Sequence, residues 1–214
     1  MTILCISTDT RLYFAHRGHD WKFVAHEQLT LTTQSHNLGG SSFALGRGGA
    51  PSRWLPLTFQ QIEPTLSLSS NVDWLYAAYT AGPMTITLGR QPITFGRGTV
   101  WRTVDRVSTF SLTEVDTEYK PGSDALRVDF GHKHAAGGET NLTFVAAIGE
   151  LEGEQKDLQV ELRASSFVAR VKHSFSSFEL GMTGGFVRYD AMIGLDAVWD
   201  LGGADVYAEV TATR

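Results

Sequence analysis

The chain has 214 residues, enough for one sizeable domain or one barrel. Charged residues make up 19%, below the share of about 25% usual in soluble domains, while glycine reaches 22 positions and aromatics 11%. A formal net charge of -5 argues against general affinity for nucleic acid, which leaves a basic footprint. The single cysteine, Cys5, excludes an internal disulfide framework. No apolar run of about 18 residues occurs, so no transmembrane helix is expected.

Residues 1–63 form a poorly defined first part. Residues 1–20 lack a basic n-region and a long apolar stretch, so they do not read as a signal peptide. Residues 21–31 (WKFVAHEQLTL) have the character of a strand, and residues 37–56 are rich in Gly, Ser and Pro and read as loop. His16, His19 and His26 follow no standard metal-ligand spacing.

Residues 64–214 form the second part, in which segments of about ten residues alternate apolar and polar. In residues 83–89, Met84, Ile86 and Leu88 oppose Thr85 and Thr87. In residues 125–130, Leu126, Val128 and Phe130 oppose Arg127 and Asp129. Residues 140–148 set Leu142, Phe144, Ala146 and Ile148 against Asn141 and Thr143. The same pattern recurs in residues 156–164, 176–186, 193–199 and 205–210. Strand side chains alternate between faces, so each segment has one oily and one wet side. Short links at 81–83, 135–138, 176–177 and 202–203 predict antiparallel up-and-down pairing. The expectation is all-β: an antiparallel meander, with a long loop at about residues 96–123.

Alternation alone fits a soluble barrel with an oily interior and a transmembrane β-barrel with an oily exterior. Two features favour the transmembrane case. The polar face is rich in Ser, Thr, Gly and Asn with mixed charges. Trp74, Tyr79, Phe95, Trp101, Tyr189 and Trp199 lie near segment ends, where membrane barrels carry aromatic girdles.

Residues 71–129 add a resemblance. The stretches VDWLYAAY (72–79), LGRQPITFG (88–96) and DTEYKPG (116–122), with the returning strand at 124–129, are similar to a group of Gram-negative outer-membrane β-barrel proteins of porin and alginate-export style. The specific likeness covers a little over a quarter of the chain. It implies location in the bacterial outer membrane and barrel architecture, and little about cargo. The chain departs from that group in lacking an export signal and a terminal aromatic strand. It is therefore expected to be a fragment or partial barrel.

The long loop concentrates charge. In a porin-like barrel such a loop folds into the lumen, and charged rings there select solutes. Arg90, Arg97, Arg102, Asp105, Asp116, Glu118 and Lys120 are the candidates for a constriction. The other reading is that these charges pair with one another and pin the loop. Arg90 shares the parity of Met84, Ile86 and Leu88, so it either lies beyond the hydrocarbon or follows a bulge near Gly89. Arg127, Asp129, Glu161, Arg163, Asp196, Asp205 and Glu209 have the wet parity and are candidates to line a lumen.

Gly46-Arg47-Gly48-Gly49 has no strand–helix context for a phosphate loop, and no Gly-x-Ser-x-Gly elbow occurs. No enzyme, cofactor or metal is expected. The expected function is porin-like passage of small polar solutes through a hydrated lumen, with outer-membrane lipid outside and no nucleic-acid partner. The alternatives are a soluble barrel binding an apolar ligand and a plugged structural or adhesive barrel.

Overall fold

The computed structural model describes residues 5–34, 53–63, 65–95, 103–107, 120–135, 137–149 and 164–214. Those residues contain no helix. They form β1 (Cys5–Arg17), β2 (Trp21–Gln34), β3 (Thr58–Ile62), β4 (Leu66–Ala81), β5 (Met84–Gln91), β6 (Ser123–Lys133), β7 (Glu139–Ala147), β8 (Ser166–Ser174), β9 (Phe178–Val187), β10 (Asp190–Asp200) and β11 (Asp205–Thr213). All belong to one antiparallel sheet in the order β1-β2-β4-β5-β6-β7-β8-β9-β10-β11. The short β3 pairs with β4, over Asn71 to Ser67. The sheet is open: no pairing joins β1 to β11 among the described residues. The all-β, up-and-down reading of the sequence is therefore what the chain adopts.

The strands of this sheet are long. Outside β3, strands run from 8 residues in β5 to 16 in β4, against a mean of about 5–6 in globular proteins. The segments read at 21–31, 83–89, 125–130, 140–148, 176–186, 193–199 and 205–210 fall on β2, β5, β6, β7, β9, β10 and β11. β1, β3 and β8 were not anticipated. Of the segment expected at 156–164, residues 156–163 lie outside the described residues.

Register turns the one-dimensional alternation into two-dimensional rows. Met84, Phe130, Leu142, Val171, Met182, Leu195 and Val210 stand opposite one another across seven strands. Every member is apolar. One residue along, the row is Thr85, Asp129, Thr143, Arg170, Thr183, Gly194 and Thr211. It contains no large apolar side chain. Because the side-chain period is two, a single-residue slip of any strand would mix these rows, so each face holds the register of the other.

The two ends of the sheet differ. At one end the strands are joined by short turns at 18–20, 82–83, 134–138, 175–177 and 201–204. At the other end the connections are 35–65, which includes β3, then 92–122, 148–165 and the tight turn 188–189. At the short turn 82–83, Gly82 adopts φ +56°, a left-handed value that glycine reaches without steric cost.

Candidate functional site: the polar face

The face carrying the apolar row is the one turned to the surroundings. Leu88 is 64% exposed, Phe144 54% and Leu195 51%. Thr143, Arg170, Thr183 and Asp196, on the opposite face of the same strands, are buried. This inverts the arrangement of a soluble barrel, in which apolar side chains fill the interior.

The polar face has three tiers. Its middle tier is a hydrogen-bonded charge network. Arg170 Nη1 and Nη2 donate to the two carboxylate oxygens of Asp196, each at 2.7 Å, and Nη1 also donates to Thr183 Oγ1 at 2.8 Å. Arg127 makes a matching fork with Asp129, at 2.7 and 2.8 Å, and Thr143 Oγ1 donates to Asp129 at 2.7 Å. Bidentate Arg–carboxylate pairs fix geometry as well as neutralising charge. Gly181 makes room for the first pair: a Cβ there would collide with both Arg170 and Asp196.

Toward the end with long connections, the polar face turns apolar. Ala125, Val145, Ala147, Val168, Val187 and Met192 are buried there with Ile93, Phe95, Val104 and Val107. The latter four belong to the 92–122 connection. The described residues of that connection, 92–95 and 103–107, thus lie against the face from β5 as far as the last strands. Thr103 N donates to Glu209 Oε2 at 3.0 Å, and Arg106 Nη2 is 3.8 Å from Asp190. Lys120 Nζ is paired with Asp105 and donates to Ile93 O and Thr94 Oγ1, closing the segment on itself. Trp74 Nε1 donates to Lys120 O at 2.8 Å and ties the same point to β4. The third tier, toward the short turns, is open and holds a cavity of about 450 Å³ beside β2, β4, β5 and β6.

The candidate constriction residues divide. Asp105 and Lys120 lie over the polar face, but buried and paired with each other. That matches the pinning reading of their charges. Arg90 does not face the polar side. It is 1% exposed, and its pairing partners Leu75 and Asp124 continue the apolar-face rows. The pairing of β5 with both neighbours passes Gly89 without a shift, so no bulge there resets the register. Instead residues 53–57 cover the guanidinium. Arg90 Nε and Nη2 donate to Asp124 at 2.8 and 3.0 Å, and Asp124 also accepts from Trp54 N and Leu55 N at 2.7 Å. The irregularity sits in β4, where the β2–β4 register shifts at His26/Glu27 and leaves Asp73 between paired residues. Asp73 accepts from Arg53 at 3.1 Å and lies 3.9 Å from His26 Nδ1. Arg97, Arg102, Asp116 and Glu118 lie outside the described residues.

Among the candidate lining residues, Arg127, Asp129 and Asp196 are in the central network, and Glu209 receives Thr103. Asp205 accepts from Tyr207 Oη at 3.1 Å near the short turns. Glu161 and Arg163 lie outside the described residues. The expected girdle is corrected in part. Tyr79 and Trp199 belong to an aromatic band at the short-turn end, with Trp21–Tyr79 centroids 4.6 Å apart and Phe178–Trp199 centroids 4.3 Å apart. His173 and Phe175 continue it at 4.3 Å. Trp74 and Phe95 are not girdle residues: Trp74 packs on His26 with centroids 4.9 Å apart, and Phe95 is in the buried cluster. Tyr189 is exposed at the 188–189 turn, and Trp101 lies outside the described residues.

The alternation of residues 176–186 puts Thr183 on the polar parity without giving it a role, and Arg170 and Lys22 were missed. The available signal for Arg170 was its place in FVARV, a lone charge with the wet parity inside an apolar strand. Lys22 has the parity of Val24 and His26, but their neighbours Phe23 and Ala25 give no alternation. The chain matches no family model, no curated protein and no solved structure.

Proposed function

We propose that this chain is an outer-membrane β-barrel protein that passes small polar solutes along its polar face. The observation that carries the reading is the inversion of polarity: an all-apolar row points outward on the same strands whose inward row is charged and hydrogen-bonded. A face of that size exposed to water would be an aggregation surface, whereas hydrocarbon is its natural solvent. Long strands, turns of two to five residues at one end, longer connections at the other and an aromatic band support the same reading. The soluble carrier of an apolar ligand is disfavoured, because the polar face offers charge pairs where such a ligand would need oil.

Hydrocarbon leaves no tolerance for bare backbone edges, so β1 and β11 need strand partners in the membrane. β1 runs toward the short-turn end and β11 away from it, so direct pairing of the two would extend the antiparallel pattern.

A narrowed passage is favoured over a wide one by the segment bearing Ile93, Phe95, Val104 and Val107, which covers the apolar tier of the polar face. The test is liposome swelling with sugars of increasing size. Slow swelling is expected with wild type, and faster swelling when Asp105→Asn loosens the Lys120 pin. Wild-type protein that stays in aqueous buffer without detergent and shows no heat-dependent gel mobility would remove the membrane reading altogether.

A further inference from the structure

We infer that the open tier of the polar face is a binding station for small organic carboxylates, with Lys22 as its anchoring cation. The transport meaning of this site rests on the proposed membrane reading, but its ligand chemistry does not. The cavity, about 450 Å³, is within the usual range of small-molecule sites, roughly 300–1,000 Å³. Its wall is built from Lys22 on β2, Tyr76 on β4, Thr85 and Thr87 on β5, and the Arg127–Asp129 pair on β6.

The charges decide the ligand class. Arg127 and Asp129 neutralise each other through two short hydrogen bonds. Asp20 at the rim has His19 at 3.7 Å. Lys22 has no carboxylate within ion-pair distance among the described residues; its Nζ lies 5.8 Å from the centroid of the Tyr76 ring. Arg17, at the same rim, likewise shows no ion pair among the described residues. Arg17 and Lys22 therefore face the cavity against the single rim carboxylate of Asp20, which leaves the lining with a net charge of +1.

A cation held over an aromatic face is partly desolvated and retains N–H donors for an anion. A carboxylate would take those donors, its carbon body would lie along Tyr76, and the threonine hydroxyls would meet polar substituents. An organic cation of the same shape would meet Lys22 and Arg17 as like charges.

The probes that test this are benzoate, benzyl alcohol and benzylammonium, read by saturation-transfer NMR on the full chain in detergent micelles. Benzoate is expected to bind saturably and in preference to the other two. Losing one charge-assisted hydrogen bond in Lys22→Gln should weaken benzoate by about tenfold or more. Lys22→Arg should retain most of the affinity, which separates loss of the cation from loss of fold. Equal binding of the three probes, or benzoate affinity unchanged in Lys22→Gln, would overturn the inference. Heat-dependent gel mobility and liposome swelling on the same preparations keep the two readings apart. A folded, swelling-competent protein with no carboxylate preference removes this site and leaves the membrane reading standing. Lys22-dependent benzoate binding by protein that never partitions into lipid does the reverse.

Discussion

Met182 and Thr183 are adjacent in β9, yet one is half exposed and the other fully buried, and the contrast repeats across the sheet. On the Met182 side the row of seven apolar residues is exposed or half-buried among the described residues. On the Thr183 side the matching row is held by Arg170, Asp196, Arg127 and Asp129, and Ile93, Phe95, Val104 and Val107 cover the tier next to it. In a water-soluble sheet the hydrophobic effect drives the opposite assignment. The comparison teaches that the buried face of this sheet is organised by hydrogen bonds and ion pairs while its apolar face is left exposed, the arrangement that the proposed membrane reading calls for.

Substitutions that cross the two faces sharpen or break that contrast. The largest effect is expected from Arg170→Ala, which leaves Asp196 buried without its partner. Removing one member of a buried pair typically costs about 3–5 kcal/mol. Urea unfolding in phospholipid bilayers measures it, and the double change with Asp196→Ala should recover part of the loss. On the other face, Leu195→Arg should cost about 2–4 kcal/mol if that row meets the bilayer midplane. The same change on a water-exposed face would stay within about 0.5 kcal/mol, so this variant discriminates between solvents.

Gly181→Ala is expected to follow, at about 1–3 kcal/mol, because its methyl group has to displace the Arg170–Asp196 fork. If unfolding shows no change, the fork is not as tightly held as the distances state. The smallest effect is expected from Trp199→Leu, which removes an aromatic contact with Phe178 worth about 0.5–1.5 kcal/mol. Its signature is a modest drop in unfolding midpoint, with heat-dependent gel mobility retained.

How far the sequence could be read follows from where the face contrast is undisturbed. Over residues 126–130 of β6, 193–197 of β10 and 205–210 of β11 one parity is apolar and the other is polar or glycine, with Tyr207 its one aromatic, and these stretches are legible from alternation. β8 is different: Phe167, Ala169 and Val171 face out, but Val168 faces inward beneath the connection that covers the polar face. A covered tier restores apolar residues to the wet parity and erases the period of two. β1 fails for another reason, since Leu12, Tyr13, Phe14 and Ala15 run together without alternation in an edge strand. Arg90 was legible as an anomaly of parity, but its resolution was not. The cover comes from residues 53–57, whose approach to Asp124 spans about seventy positions of chain and leaves no local pattern. The pairing of Asp105 with Lys120 is likewise long-range. Charge content alone marked the loop without saying whether the charges faced solute or one another.

Single nitroxide labels at positions 182 and 183 of bilayer-reconstituted protein put the central question to one spectrometer. Power-saturation EPR should find the label at 182 open to dissolved oxygen and closed to a water-soluble nickel chelate. The label at 183 should be shielded from lipid-dissolved oxygen. Equal access of both labels to the chelate would mean that the apolar row lies in water, and the account would be wrong.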